Sequence, residues 1–316
     1  MTLRRLGAVI PVHGPLTPVV PLLDDLVGDD VDHADRPAVV VLVDDASDPA
    51  VAPDALPDGV QLVRRDRNGG FGAAVNTGLE TIAELAPEVE QVLVLNSDLR
   101  LPQGFARQLL NHAAPWMPAA VGCRVVGEDG RSGYSARYFP RTSHQVIEWL
   151  VPLASQRHRD ALHRAVGHDL RAERAHGMVP VDWVSGAMLL LPLAEVRDAG
   201  SFDEGYFMYT EEVDLQLRLR QRGIPSLLDA DLEVSHVGGG SSGGEARRRR
   251  WLVGARMRYA RKHGGVRRLR AGLTAATAAN LVWNTGRRAA GRDVDPLAGA
   301  REELSLIYSA GKDLPR

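Results

Sequence analysis

Short apolar runs divided by polar or glycine-rich loops recur through the first three quarters of the chain, and their lengths favour strands. Leu6–Val12, residues 38–43 and Gln91–Leu95 are nearly unbroken and rich in β-branched side chains, as in central parallel strands buried on both faces. Residues 60–63 read as a weaker strand, and residues 119–126, 187–191 and 227–232 continue the series. Helical spacing appears between them. One segment carries Leu22, Leu23 and Leu26 and is confined to a late start by Pro18 and Pro21. Others begin near Phe71 or Ala73, at Pro102 and at Glu211. Alternating strands and helices predict an α/β fold with a mostly parallel sheet flanked by helices.

Residues 131–176 lose this periodicity and read as a functional loop or mobile lid. Their histidines, at 144, 158, 163, 168 and 176, lack metal-ligand spacing and read as surface residues. Composition changes the picture little: 44% hydrophobic and 25% charged residues describe a soluble globular protein. The formal charge of −2 gives no global field for nucleic acid. The single cysteine, Cys123, excludes an internal disulfide and fits a reducing, cytoplasmic setting. No signal peptide is recognised, and the uncharged run 271–286 falls short of the roughly 20 apolar residues of a spanning helix.

Charge is uneven, however. Residues 247–292 hold fourteen Lys and Arg and no acid, interleaved with Trp251, Leu252, Met257, Tyr259 and Trp283. A catalytic domain over residues 1–243 followed by a basic, mainly helical extension over 244–316 is therefore expected. The extension reads either as a peripheral contact with an anionic membrane surface or as a solvated cap. No recognised RNA-binding module surrounds it.

Candidate chemistry sits where strands end. Residues 38–43 run into Asp44 and Asp45, at the position where open α/β sheets bind ligands, although a polar turn has the same composition. Asn68, Gly69, Gly70 and Gly72 open a helix behind Arg64, Arg65 and Arg67, a natural phosphate site. The spacing matches neither a Walker loop nor a dinucleotide fingerprint. Asn96-Ser97-Asp98 leaves another strand tip; it could hold a divalent cation or cap the loop. Trp183 beside Ser185-Gly186-Ala187 could floor a sugar-sized cleft or pack in the core. Residues 200–215 place Phe202, Tyr206, Phe207 and Tyr209 before Glu211, Glu212 and Asp214, with Thr210 as the expected N-cap. Asp214 and Arg218 stand one helical turn apart and read as scaffold. His236 ends the last strand beside glycines.

In this order the motifs resemble family 2 inverting glycosyltransferases of the GT-A fold, over roughly residues 6–265, and most closely their rhamnosyltransferase-like branch. The resemblance implies a Rossmann-like sheet with a C-terminal helical extension. It places Asp44 and Asp45 on the nucleoside, with Pro11, Arg67, Asn68, Gly70, Asn76 and Asn96 around the nucleotide. Trp183 and Gly186 would line the donor or acceptor sugar. Asp98 matches the last acid of the Asp-x-Asp triplet, and His236 a histidine that completes the Mg(II) or Mn(II) site; Asn96 departs by removing a charge. The Glu-Glu-x-Asp segment puts the base at Glu212, where Asp is usual, and Glu211 or Asp203 would share the role if the longer side chain misplaces it.

The implied reaction is a single displacement from a nucleoside-diphosphate sugar, with dTDP-rhamnose as the first donor, to a hydroxyl of a glycan, glycolipid or polyprenyl-diphosphate-linked acceptor. The alternatives are a nucleotide-sugar-binding protein with little or no transferase activity, or transfer from a UDP- or GDP-sugar to a small molecule. A nucleotidyltransferase ranks last, for want of a Lys-bearing glycine loop.

Overall fold

The computed structural model describes residues 3–156, 158–236 and 244–309. The glycine run after His236, and with it the expected boundary near residue 243, lies outside the described residues. Strands β1 (Leu6–Val12), β2 (Val39–Asp44), β3 (Val60–Arg64) and β4 (Gln91–Leu95) pair in parallel in the order β3-β2-β1-β4. The period of two along each strand builds two cores at once. On β2, Val40 and Leu42 join Leu22, Leu23 and Leu26 of α1 (Val20–Val27), whereas Val41 and Val43 join Leu79 and Ile82 of α2 (Phe71–Leu85). Register sets Val12 beside Asp44, so β1 and β2 release the chain at one sheet edge.

The second half is mixed. β5 (Leu99–Arg100), β6 (Ala120–Gly127), β7 (Ala136–Arg137), β8 (Met178–Val181), β9 (Trp183–Val184), β10 (Met188–Pro192) and β11 (Ser226–His236) follow in sequence. β10 runs antiparallel between β4 and β6, and β6 pairs in parallel with β11. Parallel pairing thus fills the first half and the β6–β11 step, with one reversed strand between them.

The irregular stretch is more structured than its sequence indicates. α3 (Phe105–Ala113) precedes it, and it contains α4 (Thr142–Trp149), α5 (Asp160–Ala165) and α6 (Leu170–Glu173). Its histidines are not all surface residues. Tyr134 stacks on His163 and His168 at 4.2 and 4.4 Å between ring centroids. Burial, with the Arg137 charge nearby, holds the His168 imidazole down at about 3.

α7 (Leu193–Asp198) and α8 (Glu211–Gln221) complete the catalytic half. The extension folds as α9 (Glu245–Lys262), α10 (Val266–Ala289) and α11 (Pro296–Ser309), which enclose a core of Trp149, Met257, Leu269, Leu273, Leu306 and Ile307. The basic run finds its acids across tertiary contacts: Arg256 pairs with Glu148 at 2.6 Å, and Arg258 and Lys262 each reach Asp203 at 2.7 Å. Part of the charge that reads as a solvated face therefore fastens α9 to the sheet domain. No helix among the described residues is long and apolar enough to cross a membrane.

Candidate active site

The carboxyl ends of β1, β2 and β4 open on a cleft of about 400 Å³ lined by Pro11, Asp45, Asn68, Gly70, Asn96, Ser97, Asp98 and His236. Eight of the residues singled out from sequence thus share one cavity. Asp45 is 3% exposed and accepts from the N–H groups of Gly69 at 3.1 Å and Gly70 at 2.9 Å. Burial pushes its carboxyl up, opposed by those donors and by Arg65, whose Nε lies at 3.1 Å. Asn68 Oδ1 also accepts from Gly70 N at 3.0 Å, so the turn is pinned from both sides. Gly70 is required there: its backbone has φ 85 and ψ 178, a region essentially reserved to glycine. A Cβ at this position would fall 1.8 Å from the Phe207 carbonyl oxygen.

Several expected site residues lie elsewhere. Asp44 does not face the cleft: it is fully buried, pairs with Arg64 and accepts from Ser47 N at 2.8 Å and Val51 N at 3.1 Å. Burial alone would raise its pKa, but these donors outweigh it and lower the pKa. Arg67 is exposed and outside the cleft lining; the guanidinium on Asp45 belongs to Arg65. Asn76 is a clamp. Its Nδ2 donates to the Phe202 carbonyl and its Oδ1 accepts from Phe202 N, both at 2.9 Å, tying α2 to the segment before α8. Trp183 is also outside the cleft lining; its indole N–H donates to the Tyr138 carbonyl at 3.0 Å and its ring packs with Tyr206, Val213 and Tyr259.

The three acids of the 200–215 segment divide by environment. Asp214 is fully buried and receives Arg218 Nε at 2.8 Å, Lys262 Nζ at 2.9 Å and His263 Nε2 at 2.7 Å. It is the scaffold member, as its pairing with Arg218 predicts, but two of these three partners come from the last residue of α9 and the one after it. Asp203 is likewise engaged by Arg258 and Lys262 and by Gly205 N at 2.9 Å. Burial would raise its carboxyl, yet Lys262, Gly205 and Arg258 hold it at about 2. With Arg258, Lys262 and Gly205 on its two oxygens, Asp203 serves to anchor α9, in place of its expected share in catalysis.

Glu211 and Glu212 differ from these in having no cation paired to them among the described residues, although they too stand outside the residues that line the cleft. They follow Tyr209 and Thr210, both non-glycine residues at φ 71, and this strained turn starts α8 without a side-chain cap from Thr210. The expected Thr210 cap is thus absent because left-handed backbone turns its side chain away from the helix N–H groups. Glu211 is 3% exposed and its Oε2 has no partner. Burial, followed by the Glu212 charge, pushes its carboxyl well up. Burial also raises Glu212, countered by backbone donors and the Arg137 charge. Glu212 lies against Gly186, where a Cβ would stand 3.2 Å from Glu212 Cγ. Gln216 fixes this arrangement by exchanging two 2.8 Å hydrogen bonds with the backbone of Val184.

For a metal, the cleft offers two protein donors: His236 Nε2 lies 2.8 Å from Asp98 Oδ1. No group of three or more His, Cys, Asp or Glu with metal-site geometry occurs among the described residues. One carboxylate and one imidazole fit a cation held in good part by substrate phosphate oxygens and water, the usual Mg(II) arrangement. They do not make a closed protein cage.

The sequence reading missed the contribution of α9 to this cleft. Arg248 and Trp251 line it, Trp251 packs on Phe207 with centroids 4.9 Å apart, and the Arg247 guanidinium stands 6.0 Å over the same indole. The run of arginines ending in Trp251 was the available signal, but only docking of α9 directs it to the cleft.

An α/β sheet with acids and a glycine turn at its carboxyl edge, backed by a helix that starts with the buried Glu211 and the half-buried Glu212, is the architecture of a GT-A fold. A family model described as Glycosyl transferase family 2 matches residues 9–168, and the chain belongs to that family and is thereby a glycosyltransferase. It is 32% identical over 223 residues to the N-acetylglucosaminyl-diphospho-decaprenol L-rhamnosyltransferase of Mycobacterium tuberculosis, covering 66% of this chain and 69% of that protein. Identity to rhamnosyltransferase WbbL of Escherichia coli is 29% over 159 residues, which is 49% of this chain and 56% of that one. Among solved structures, GalNAc-T7 with UDP, GalNAc and Mn2+ superposes with a TM-score of 0.54 at 14% identity, over 81% of this chain. This chain spans 47% of GalNAc-T7, and the likeness is one of fold.

Proposed function

We propose that the protein transfers a sugar, with inversion, from a nucleoside-diphosphate donor to a hydroxyl of a polyprenyl-diphosphate-linked or other glycolipid acceptor, and that dTDP-rhamnose is the donor to test first. The donor and acceptor follow from the 32% identity to a rhamnosyltransferase whose name specifies a decaprenyl-diphosphate-linked sugar. The observation that carries the mechanism is the Glu211–Glu212 pair at the start of α8, with Gly186 leaving room beside Glu212.

In this reading Glu211, the more deeply buried member and the one without a partner at Oε2, keeps its proton. Glu212, with the Arg137 charge acting on it, carries the negative charge of the pair. Its carboxylate takes the proton of the acceptor hydroxyl as that oxygen bonds to the anomeric carbon. The bond from that carbon to the donor phosphate oxygen breaks, and the nucleoside diphosphate leaves with the electron pair. A raised carboxyl pKa suits a general base near neutral pH.

Asp45, Asn68 and the Gly69–Gly70 turn form the nucleotide end of the cleft, with Pro11 and Asn96 as further walls. Asp98 and His236 would hold a divalent cation, which supplies charge neutralisation for the departing diphosphate. Arg248 brings an additional positive charge to the same side.

The deciding experiment is a thermal-shift panel of dTDP-, UDP- and GDP-sugars with and without Mg(II) or Mn(II), since a ligand stabilises in proportion to the logarithm of its concentration over its Kd. It is followed by transfer to a polyprenyl-diphosphate-linked N-acetylglucosamine. Stabilisation by a dTDP-sugar and formation of a rhamnosylated lipid are expected. Donor binding without product from any acceptor tested would leave a nucleotide-sugar-binding protein and overturn the transferase proposal.

A further inference from the structure

α10 buries Leu269, Leu273 and Ala276 in the helical core but polar residues further along. Its buried face includes Thr277 and Asn280, at 3% and 2% exposure, and its outer face shows Val282 and Trp283 at 74% and 49%. The inward polar residues have partners that account for them. Asn280 Nδ2 donates to the Trp149 carbonyl at 3.0 Å and to Glu303 at 3.1 Å, while its Oδ1 accepts from Val151 N at 2.9 Å. The outward apolar residues have no such account among the described residues. A lone exposed leucine needs none, but an adjacent valine and tryptophan on the outside of a helix that buries an asparagine is informative.

Around them, no charged residue occurs from 271 to 286, which is about 24 Å of helix at 1.5 Å per residue. Both ends of that stretch are basic. Arg267 and Arg268 precede it; Arg287, Arg288 and Arg292 follow, and α10 contains no acid. Arg267, Arg268 and Arg292 make no ion pair among the described residues, unlike Arg256 and Arg258 of α9, which are held by Glu148 and Asp203. The arginines that bracket the apolar face at 267, 268 and 292 are exposed and so remain available.

We propose that this outer face of α10 lies in the plane of an anionic lipid bilayer, with Val282 and Trp283 entering the headgroup boundary and Arg267, Arg268, Arg288 and Arg292 contacting lipid phosphates. A Trp beside an uncharged helical face with basic ends is the composition of an interfacial helix. The helix cannot cross the bilayer, since none among the described residues is apolar enough to do so. Self-association through the same face is disfavoured by its charge: a two-fold dimer would bring basic ends onto basic ends, or stack each on its own copy. The inference stands apart from the identity of the transferred sugar. It rests only on the exposed residues and charges of α10.

The test uses the full chain and extruded vesicles of phosphatidylcholine alone or mixed equally with phosphatidylglycerol, at low salt. Co-sedimentation with the mixed vesicles, at least tenfold above that with phosphatidylcholine alone, is expected. The double variant V282D/W283D is expected to lose at least tenfold of this binding while its circular dichroism and thermal midpoint stay as in the parent, and R267E/R268E to lose a similar amount. Equal binding by the double variant, or no binding by the parent at low salt, overturns the proposal. So does a concentration-dependent dimer, seen by sedimentation velocity, that V282D/W283D abolishes without any vesicle binding by the parent.

Discussion

Gly186 lies against Glu212: a Cβ at residue 186 would stand 3.2 Å from Cγ, 3.3 Å from Cβ and 3.5 Å from Cδ of the glutamate. Three contacts along one side chain mean that a methyl group there would press on its whole length. The Gly186→Ala variant is expected to fold, since Gly186 has no positive φ, and to bind donor normally. Its kcat should fall by roughly 10- to 100-fold, because displacement of a reacting group by about 1 Å costs on that order. A steady-state comparison of kcat with donor KM checks this, and unchanged kcat refutes the placement of Glu212.

Replacing Glu212 with Gln should leave donor-induced stabilisation intact and lower turnover by about 10²- to 10⁴-fold, the usual size of general-base assistance. Glu211→Gln should be far milder, because a protonated carboxyl and an amide are similar in charge and size. The pH profile adds a sign. Burial raises the Glu212 carboxyl above the ordinary carboxylate range, and a base works only when deprotonated. Activity should therefore fall as pH drops through that raised value, with an acid limb above the usual glutamate range of about 4. A rate that holds flat down to pH 4 would assign the base to another group.

Gly70→Ala should destabilise the protein by more than the roughly 1–2 kcal/mol that a left-handed backbone costs a residue with a Cβ, since the new methyl also meets the Phe207 carbonyl at 1.8 Å. Donor binding should weaken with it, because Gly70 N is one of the groups that position Asp45. Thermal melts with and without nucleotide separate the two effects.

The docking of α9 should be acid-sensitive. Asp203 is held at about 2 in the folded protein, against about 3.9 in an unfolded chain. A lowered folded value contributes stability that is fully present above about pH 4 and is lost as pH falls toward 2. The Asp203→Asn variant should therefore melt at lower temperature than the parent at neutral pH, and the difference should close between pH 4 and 2. A difference that persists unchanged at pH 2 would show that the anchoring is not ionic.

Much of the scaffold was legible in one dimension because strand burial and glycine turns are local. Residues 38–43 read as a buried strand, and Asn68 through Gly72 as a glycine turn into a helix; the structure contains both as β2 and the start of α2. The strand tips at Asp45 and Asp98, and His236 at the end of β11, line one cleft. The stretch 131–176 was opaque because its helices are short and are held by tertiary packing, α4 against α10 and α6 against β7, β8 and β11, rather than by their own periodicity.

The sequence by itself determined which residue types reach the cleft edge. Only the tertiary structure decided which acids are free, for two physical reasons. Neighbouring residues at a strand end point opposite ways, so Asp44 turns in to Arg64 while Asp45 turns out to the glycine turn. Ion pairing also acts through space and not along the chain. Besides Arg218, the basic partners that hold Asp203 and Asp214 lie 48 to 59 residues later, on α9 and just beyond its end. Once those partners are assigned, Glu211 and Glu212 remain as the carboxyl pair raised by burial at the start of α8.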